Sequence, residues 1–274
     1  MMVGLFLLVL SAALVLAFLY LTVWRDRRIR QRPLDAESLA IVRRGLPVYD
    51  ALGPEEQSRL QQLIQLFLAR KRFYGCAGLE ITDEIRLTIA AEACLLLLHQ
   101  GGSVYPGLYS ILVYPSAFRA ERKQQREDGT VATEQHALLG ESWSNGKVIL
   151  SWDDVTRGVS DFSDGRNVVL HEFAHQLDST SGSGNGAPVL QPSSYQTWSR
   201  VLSENFDDLR WRSLHHLDTV LDPYGATNPA EFFAVATEAF FEKPGELAKH
   251  RPELYRELQD YYRVDPRDWR HPTD

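Results

Sequence analysis

Residues 171–175 read His-Glu-Phe-Ala-His inside an apolar, helix-forming run, Asn167-Val-Val-Leu-His-Glu-Phe-Ala-His-Gln-Leu177, and this string constrains the chain more than any other. Two imidazoles four residues apart on a helix stand one turn above each other, offset by about 40° around the axis, so both can reach one tetrahedral zinc ion. Glu172 stands beside them, where a carboxylate can take the proton from a water that the metal has acidified to a pKa of roughly 7. A helix with two unrelated histidines would read the same. By average composition, however, a chance HExxH in a chain this long is on the order of one in a hundred, and rarer still on a helix. The residues point to metal-assisted peptide hydrolysis, with one Zn2+ per chain and a peptide or protein as substrate.

Two histidines leave such a site short of one protein ligand, because catalytic zinc usually keeps three and leaves its fourth position to water. A metzincin-type extension would need a glycine at position 178 and a histidine at 181. The chain has Asp178 and Ser181 there, so the ligand must come from a later segment. The best candidate is Tyr224-Gly-Ala-Thr-Asn-Pro-Ala-Glu231-Phe-Phe-Ala, in which Asn228 can cap a helix, Pro229 suits its first turn and Glu231 falls within that turn. A carboxylate among Phe232, Phe233, Phe240 and Phe241 is costly to bury unless something positive neutralises it, and zinc would do so. Asp222, beside Tyr224, is the alternative third ligand. Glu238 lies seven residues after Glu231 on the same helix face and could hydrogen-bond a ligating histidine or compete for the metal. Asp178, three residues after His175, either orients a ligand or neighbouring backbone or caps the helix end. Tyr224 is either an ordinary interior phenol or a donor to the tetrahedral oxyanion, a contact worth a few kcal/mol in a transition state. His215-His216 makes a poor metal pair, since adjacent helical residues point about 100° apart.

The strings HEFAHQLD, residues 171–178, and YGATNPAEFFA, residues 224–234, resemble the Mlc titration factor A family of bacterial zinc metallopeptidases, with the catalytic domain of anthrax lethal factor as a more distant likeness. The resemblance covers roughly residues 35–265. It implies a gluzincin arrangement, with zinc on His171, His175 and Glu231, Glu172 as general base and Tyr224 helping to hold the oxyanion. It also implies a second kind of function, binding and sequestering a transcription regulator of sugar uptake with weak or residual proteolysis. An N-terminal anchor would set this chain apart from the soluble members of that family.

That anchor is expected from Val3–Trp24, more than twenty residues without a charge, enough to cross a hydrocarbon core of roughly 30 Å. A cleavable signal peptide would carry its basic residues before the apolar core. Here Arg25, Arg27, Arg28, Arg30 and Arg32 follow it, which by the positive-inside tendency places the chain in the inner membrane as a single-pass protein with its body in the cytosol. Residues 1–32 carry net +4 and the remainder net −11, so the acidic body argues against direct nucleic-acid binding. Two cysteines, Cys76 and Cys94, are too few for a disulfide scaffold and too isolated for a metal knuckle.

The fold class expected is α+β and mostly helical, a zincin-like catalytic domain with a small antiparallel sheet preceded by one transmembrane helix. The divisions are a transmembrane anchor over 1–24, a basic linker over 25–34, the peptidase domain over 35–265 and a tail over 266–274. Helices are predicted from Gly53-Pro54 to about Phe73, from Thr82 to about His99, and over about 193–209, 229–242 and 244–262, with a short helix or linker over 34–44. Ser110–Tyr114 is a strand candidate. Gly140–Trp152 reads as a hairpin turning at Asn145-Gly146, and one strand edge could pair with an extended peptide. The small-residue loop 179–188 is expected at the rim of the cleft.

Overall fold

Two buried helices, each opened by an asparagine, form the centre of the molecule in a computed structural model that describes residues 2–116, 119–125, 131–137, 146–180, 182 and 184–269. Helix α6 spans Val168–Ser179 and helix α8 spans Pro229–Glu242. The Asn167 side-chain oxygen accepts from the amides of Val169 and Leu170, both at 3.0 Å, and that of Asn228 accepts from Ala230 at 2.9 Å and Glu231 at 3.0 Å. Each cap satisfies two helix-end donors that would otherwise be stranded in the interior. Every residue of α8 from Ala230 to Glu242 is buried, as an all-round apolar helix requires. Around this pair pack α2 (Ala36–Gly45), α3 (Pro54–Arg70), α4 (Asp83–Leu95), α5 (Trp152–Ser160), α7 (Tyr195–Leu214), α9 (Pro244–His250) and α10 (Pro252–Tyr262). Their starts follow the sequence signals: Asp35 caps α2, Pro54 opens α3 with Glu56 reaching back to the Gly53 amide at 3.0 Å, and Thr82 caps α4.

The sheet departs from expectation. Strands β1 (Arg72–Gly75), β2 (Ser110–Tyr114) and β5 (Lys147–Ser151) form a three-stranded sheet in the order β1-β2-β5, and both pairings are parallel, with Phe73 opposite Ile111 and Ile111 opposite Val148. The small antiparallel sheet is therefore corrected to a parallel one. Parallel neighbours need a long crossover, and the chain supplies it twice: residues 76–109, which contain α4, and residues 115–146. Gly146 opens β5. Gly146 has φ +66°, and a Cβ there would lie 2.6 Å from the Gly107 carbonyl oxygen. The Gly146 carbonyl accepts from Tyr109 at 2.9 Å, so the glycine lets β5 begin close beside the turn that leads into β2. The proposed first arm of the hairpin, residues 140–145, lies outside the described residues. A separate antiparallel pair, β3 (Arg119–Gln125) with β4 (Val131–Ala137), was not anticipated. Ile111, Val113, Val148 and Leu150 are buried and line the core under α6.

The N-terminal helix α1 runs unbroken over Met2–Arg30. Among the described residues no helix is long and apolar enough to cross a membrane. The transmembrane helix over 1–24 is corrected accordingly, and with it the membrane as a partner and the placement as a single-pass inner-membrane protein with a cytosolic body. The apolar run is one part of a longer helix whose last turns carry Arg25, Asp26, Arg27, Arg28 and Arg30 and lie on α3. There Asp26 pairs with Arg70 and Ile29 packs against the core. The side chains of residues 1–9, 18 and 19 lie outside the described residues.

Candidate metal centre

Helix α6 presents His171 and His175 on the face turned to α8, and the first turn of α8 brings Glu231 to them. The His171 and His175 Nε2 atoms lie 3.1 Å apart, and one Glu231 oxygen is 3.0 Å from the first and 3.4 Å from the second. One donor atom from each residue lies within 4.8 Å of the others, and no further group of this kind occurs among the described residues. Two imidazole nitrogens and a carboxylate oxygen converging on one point match the donor set of a catalytic zinc site with three protein ligands. Without a cation, two ring nitrogens at this distance repel unless a proton lies between them, so the arrangement fits a metal ion by the chemistry of its donors.

The electrostatics agree with a site that concentrates negative charge. Burial works against a charged His171, but the Glu238 charge and the hydrogen bonds with Glu231 and Glu238 hold its imidazole well above the ordinary value. Burial takes His175 the other way, down to about 4. Burial would raise Glu231, yet the hydrogen bonds from both histidines outweigh it and hold the carboxyl at about 2. The two histidines therefore hold Glu231 as an anion.

Glu238 does not join the three. Its Oε1 accepts from His171 Nδ1 at 2.7 Å, which turns Nε2 toward Glu231 and His175. A carboxylate on the far ring nitrogen is the usual means of fixing a ligating histidine's tautomer and orientation. Asp222 is engaged elsewhere. It caps the turn at Tyr224 through the Tyr224 amide at 2.9 Å and pairs with Arg166 at 2.8 Å. Asp178 accepts from the Gly186 amide at 2.7 Å and so ties the end of α6 to the following loop. In that loop Gly186, at φ +80°, sits so close to the start of α8 that a Cβ would lie 2.4 Å from the Pro229 carbonyl oxygen.

Glu172 is buried at the floor of a cleft of about 380 Å³ whose walls include His171, Val168, Val235, Arg166, Asp222 and Tyr224. The half-exposed Tyr224 ring stands 6.0 Å from the His171 ring, centroid to centroid. Burial and then the charges of Glu231 and Glu172 push its hydroxyl up to about 12, so it remains a proton-bearing donor at neutral pH.

Sequence reasoning singled out Glu238 but missed the other residues behind the histidines. Asn167, besides capping α6, donates its backbone amide to Glu238 Oε2 at 2.6 Å and its side-chain amide to Glu92 Oε1 at 3.0 Å. The Arg166 amide donates to Glu242 Oε2 at 3.0 Å. Glu92, Glu238 and Glu242 are all buried, and burial raises Glu92 to about 8 and Glu242 to about 9. A signal was present: Glu92 is a lone carboxylate in the run Ala90-Ala-Glu-Ala-Cys-Leu95, and Glu238 and Glu242 are one turn apart on a helix whose other polar side chains are Glu231 and Thr237.

Similarity to known proteins gives the family of the chain. Residues 21–263 match the model of the glucose-regulated metallo-peptidase M90 family. The chain is 45% identical to the uncharacterized protein slr2042 of Synechocystis, over 89% of both chains. It is 33% identical to Mlc titration factor A of Pectobacterium atrosepticum, over 89% of this chain and 91% of that one. It is likewise 33% identical to Mlc titration factor A of Escherichia fergusonii, over 84% and 85%. With the family model matching most of its length and relatives at 33% identity or more over most of both chains, the chain belongs to the glucose-regulated metallo-peptidase M90 family.

Proposed function

We propose that the chain is a zinc-dependent peptidase whose single catalytic domain, residues 35–265, holds the metal on His171, His175 and Glu231. The observation that carries this reading is the convergence of two imidazole nitrogens and one carboxylate oxygen within 4.8 Å, from helices linked by some fifty residues of chain. When bound, zinc supplies Lewis acidity, acidifying a water and polarising a peptide carbonyl. Glu172, buried at the floor of the cleft next to His171, takes the proton from the attacking water and returns it to the departing amine. Tyr224 donates its phenolic hydrogen to the carbonyl oxygen as negative charge develops there. Glu238 holds His171 from the far side of the ring so that its Nε2 faces the metal position. Calorimetric zinc titration of the parent, Glu231→Ala and Asp222→Ala tests the ligand set. One site per chain is expected in the parent and Asp222→Ala and none of comparable affinity in Glu231→Ala. The converse pattern would overturn it.

A second reading is supported by the name of the relatives, Mlc titration factor A. In it the chain binds and sequesters the transcription regulator Mlc, or a regulator like it, with weak or residual peptidase activity. Co-purification of Mlc with Glu172→Gln, which lacks the proposed base, separates binding from hydrolysis.

A further inference from the structure

Helix α8 turns three carboxylates toward α6. Glu231 meets the two histidines, while Glu238 and Glu242 meet the start of the helix, accepting the backbone amides of Asn167 and Arg166. Acceptors with partial or full negative charge are stabilised at a helix N-terminus by its unpaired amides and dipole. Asn167 is the junction of this array. Its side-chain oxygen is committed to the amides of Val169 and Leu170, so its side-chain NH2 must face the other way, and there it finds Glu92 Oε1 at 3.0 Å. Glu92 comes from α4, a helix that contributes nothing else to the centre, and its side chain is completely buried. The contacts form one continuous line: Glu92 to Asn167, Asn167 to Glu238 at 2.6 Å, and Glu238 to His171 at 2.7 Å.

Resting on the metal-site reading above, we infer that Glu92 is a positioning residue for the metal centre: by accepting the Asn167 side-chain amide it fixes the orientation of Asn167, and through it both the Glu238 carboxylate that aligns His171 and the first turn of α6. Without this acceptor the Asn167 side-chain NH2 is stranded in the interior, so the side chain leaves its cap to find a partner, and the first turn of α6, with the backbone amide that Glu238 accepts, loosens. Both shift the His171 ring, whose tautomer and direction decide whether Nε2 is offered to a metal. The carboxylate is needed as an acceptor and not as a charge, so glutamine, which keeps a carbonyl oxygen of the same reach, can replace it.

The test compares the parent, Glu92→Gln and Glu92→Leu as full chains. Zinc affinity is measured by competition with a chromophoric chelator, and the visible absorption of the cobalt(II)-substituted protein reports ligand geometry. Glu92→Gln should bind zinc within about threefold of the parent and keep its cobalt spectrum. Glu92→Leu should lose about 10- to 100-fold in zinc affinity, as other residues that hold ligands do, and show an altered cobalt spectrum. A purely structural role would lower the Tm of Glu92→Leu and leave both metal readouts unmoved once the protein is folded, which would overturn the inference. So would an equal loss in Glu92→Gln. If Glu92→Leu does not fold, Asn167→Ser carries the comparison, since serine keeps a capping oxygen for α6 and severs the link to Glu92. Parent-like zinc affinity and spectrum there would refute the proposal. A parent that binds neither zinc nor cobalt would overturn the metal-site reading itself and this inference with it.

Discussion

Glu92→Gln should flatten the dependence of folding stability on pH in the metal-free protein. Burial raises the Glu92 carboxyl from an ordinary 4.5 to about 8, partly offset by the Asn167 hydrogen bond. In the folded state the group therefore keeps a proton that the unfolded chain has already released between those two values. A raised folded pKa contributes stability that is fully present below about 4.5 and is lost as pH rises toward about 8. At about 1.4 kcal/mol per pH unit, the interval from about pH 5.5 to about pH 7.5 removes on the order of 3 kcal/mol through this one group. Glu242, raised to about 9 chiefly by burial, contributes a slope of the same sign that the substitution largely leaves in place, since the Glu92 charge is a minor cause of its shift. The assay is urea unfolding of the chelator-treated parent and variant at the two pH values. The variant should lose roughly 3 kcal/mol less than the parent over that interval. Parallel losses in the two proteins would refute the claim that Glu92 is buried as a neutral acid.

Glu238→Ala removes the carboxylate that holds His171 but no proposed ligand, so zinc affinity should fall about 10- to 100-fold and not vanish; chelator competition reads this, and abolished binding would mark Glu238 as a ligand instead. Tyr224→Phe should lower kcat by about 100-fold or more with little change in KM, because the phenol acts on charge that develops only in the transition state; an unchanged kcat would return Tyr224 to the role of a wall residue.

The candidate site was more legible in the sequence than the fold around it. The spacing of His171 and His175 and the caps at Asn167 and Asn228 are local patterns, and helix geometry converts them directly into positions. Glu231 was found because a carboxylate among phenylalanines needs a partner. The sheet was misread because its partners are far apart in the chain: Arg72 pairs with Ser110 and Ser110 with Lys147, which no window of neighbouring residues contains. Gly146 has the positive φ that a glycine in a turn signal announces, but the close approach of the Gly107 carbonyl beside it is a tertiary contact. At the N-terminus hydropathy was read without the docking of the same helix through Asp26 and Arg70, which pair across 44 residues. Glu92 and Asn167, 75 residues apart, were invisible as a pair for the same reason.

The central claim is that Glu172 works as a base beside a metal held by His171, His175 and Glu231. It is tested most directly by exposing the parent and Glu172→Gln, each loaded with zinc to a metal content verified by mass spectrometry, to an unbiased peptide library. The account predicts one zinc per chain in both proteins, cleavage by the parent and nearly none by the variant. Equal cleavage by the two zinc-loaded proteins, or none by a zinc-loaded parent, would contradict it.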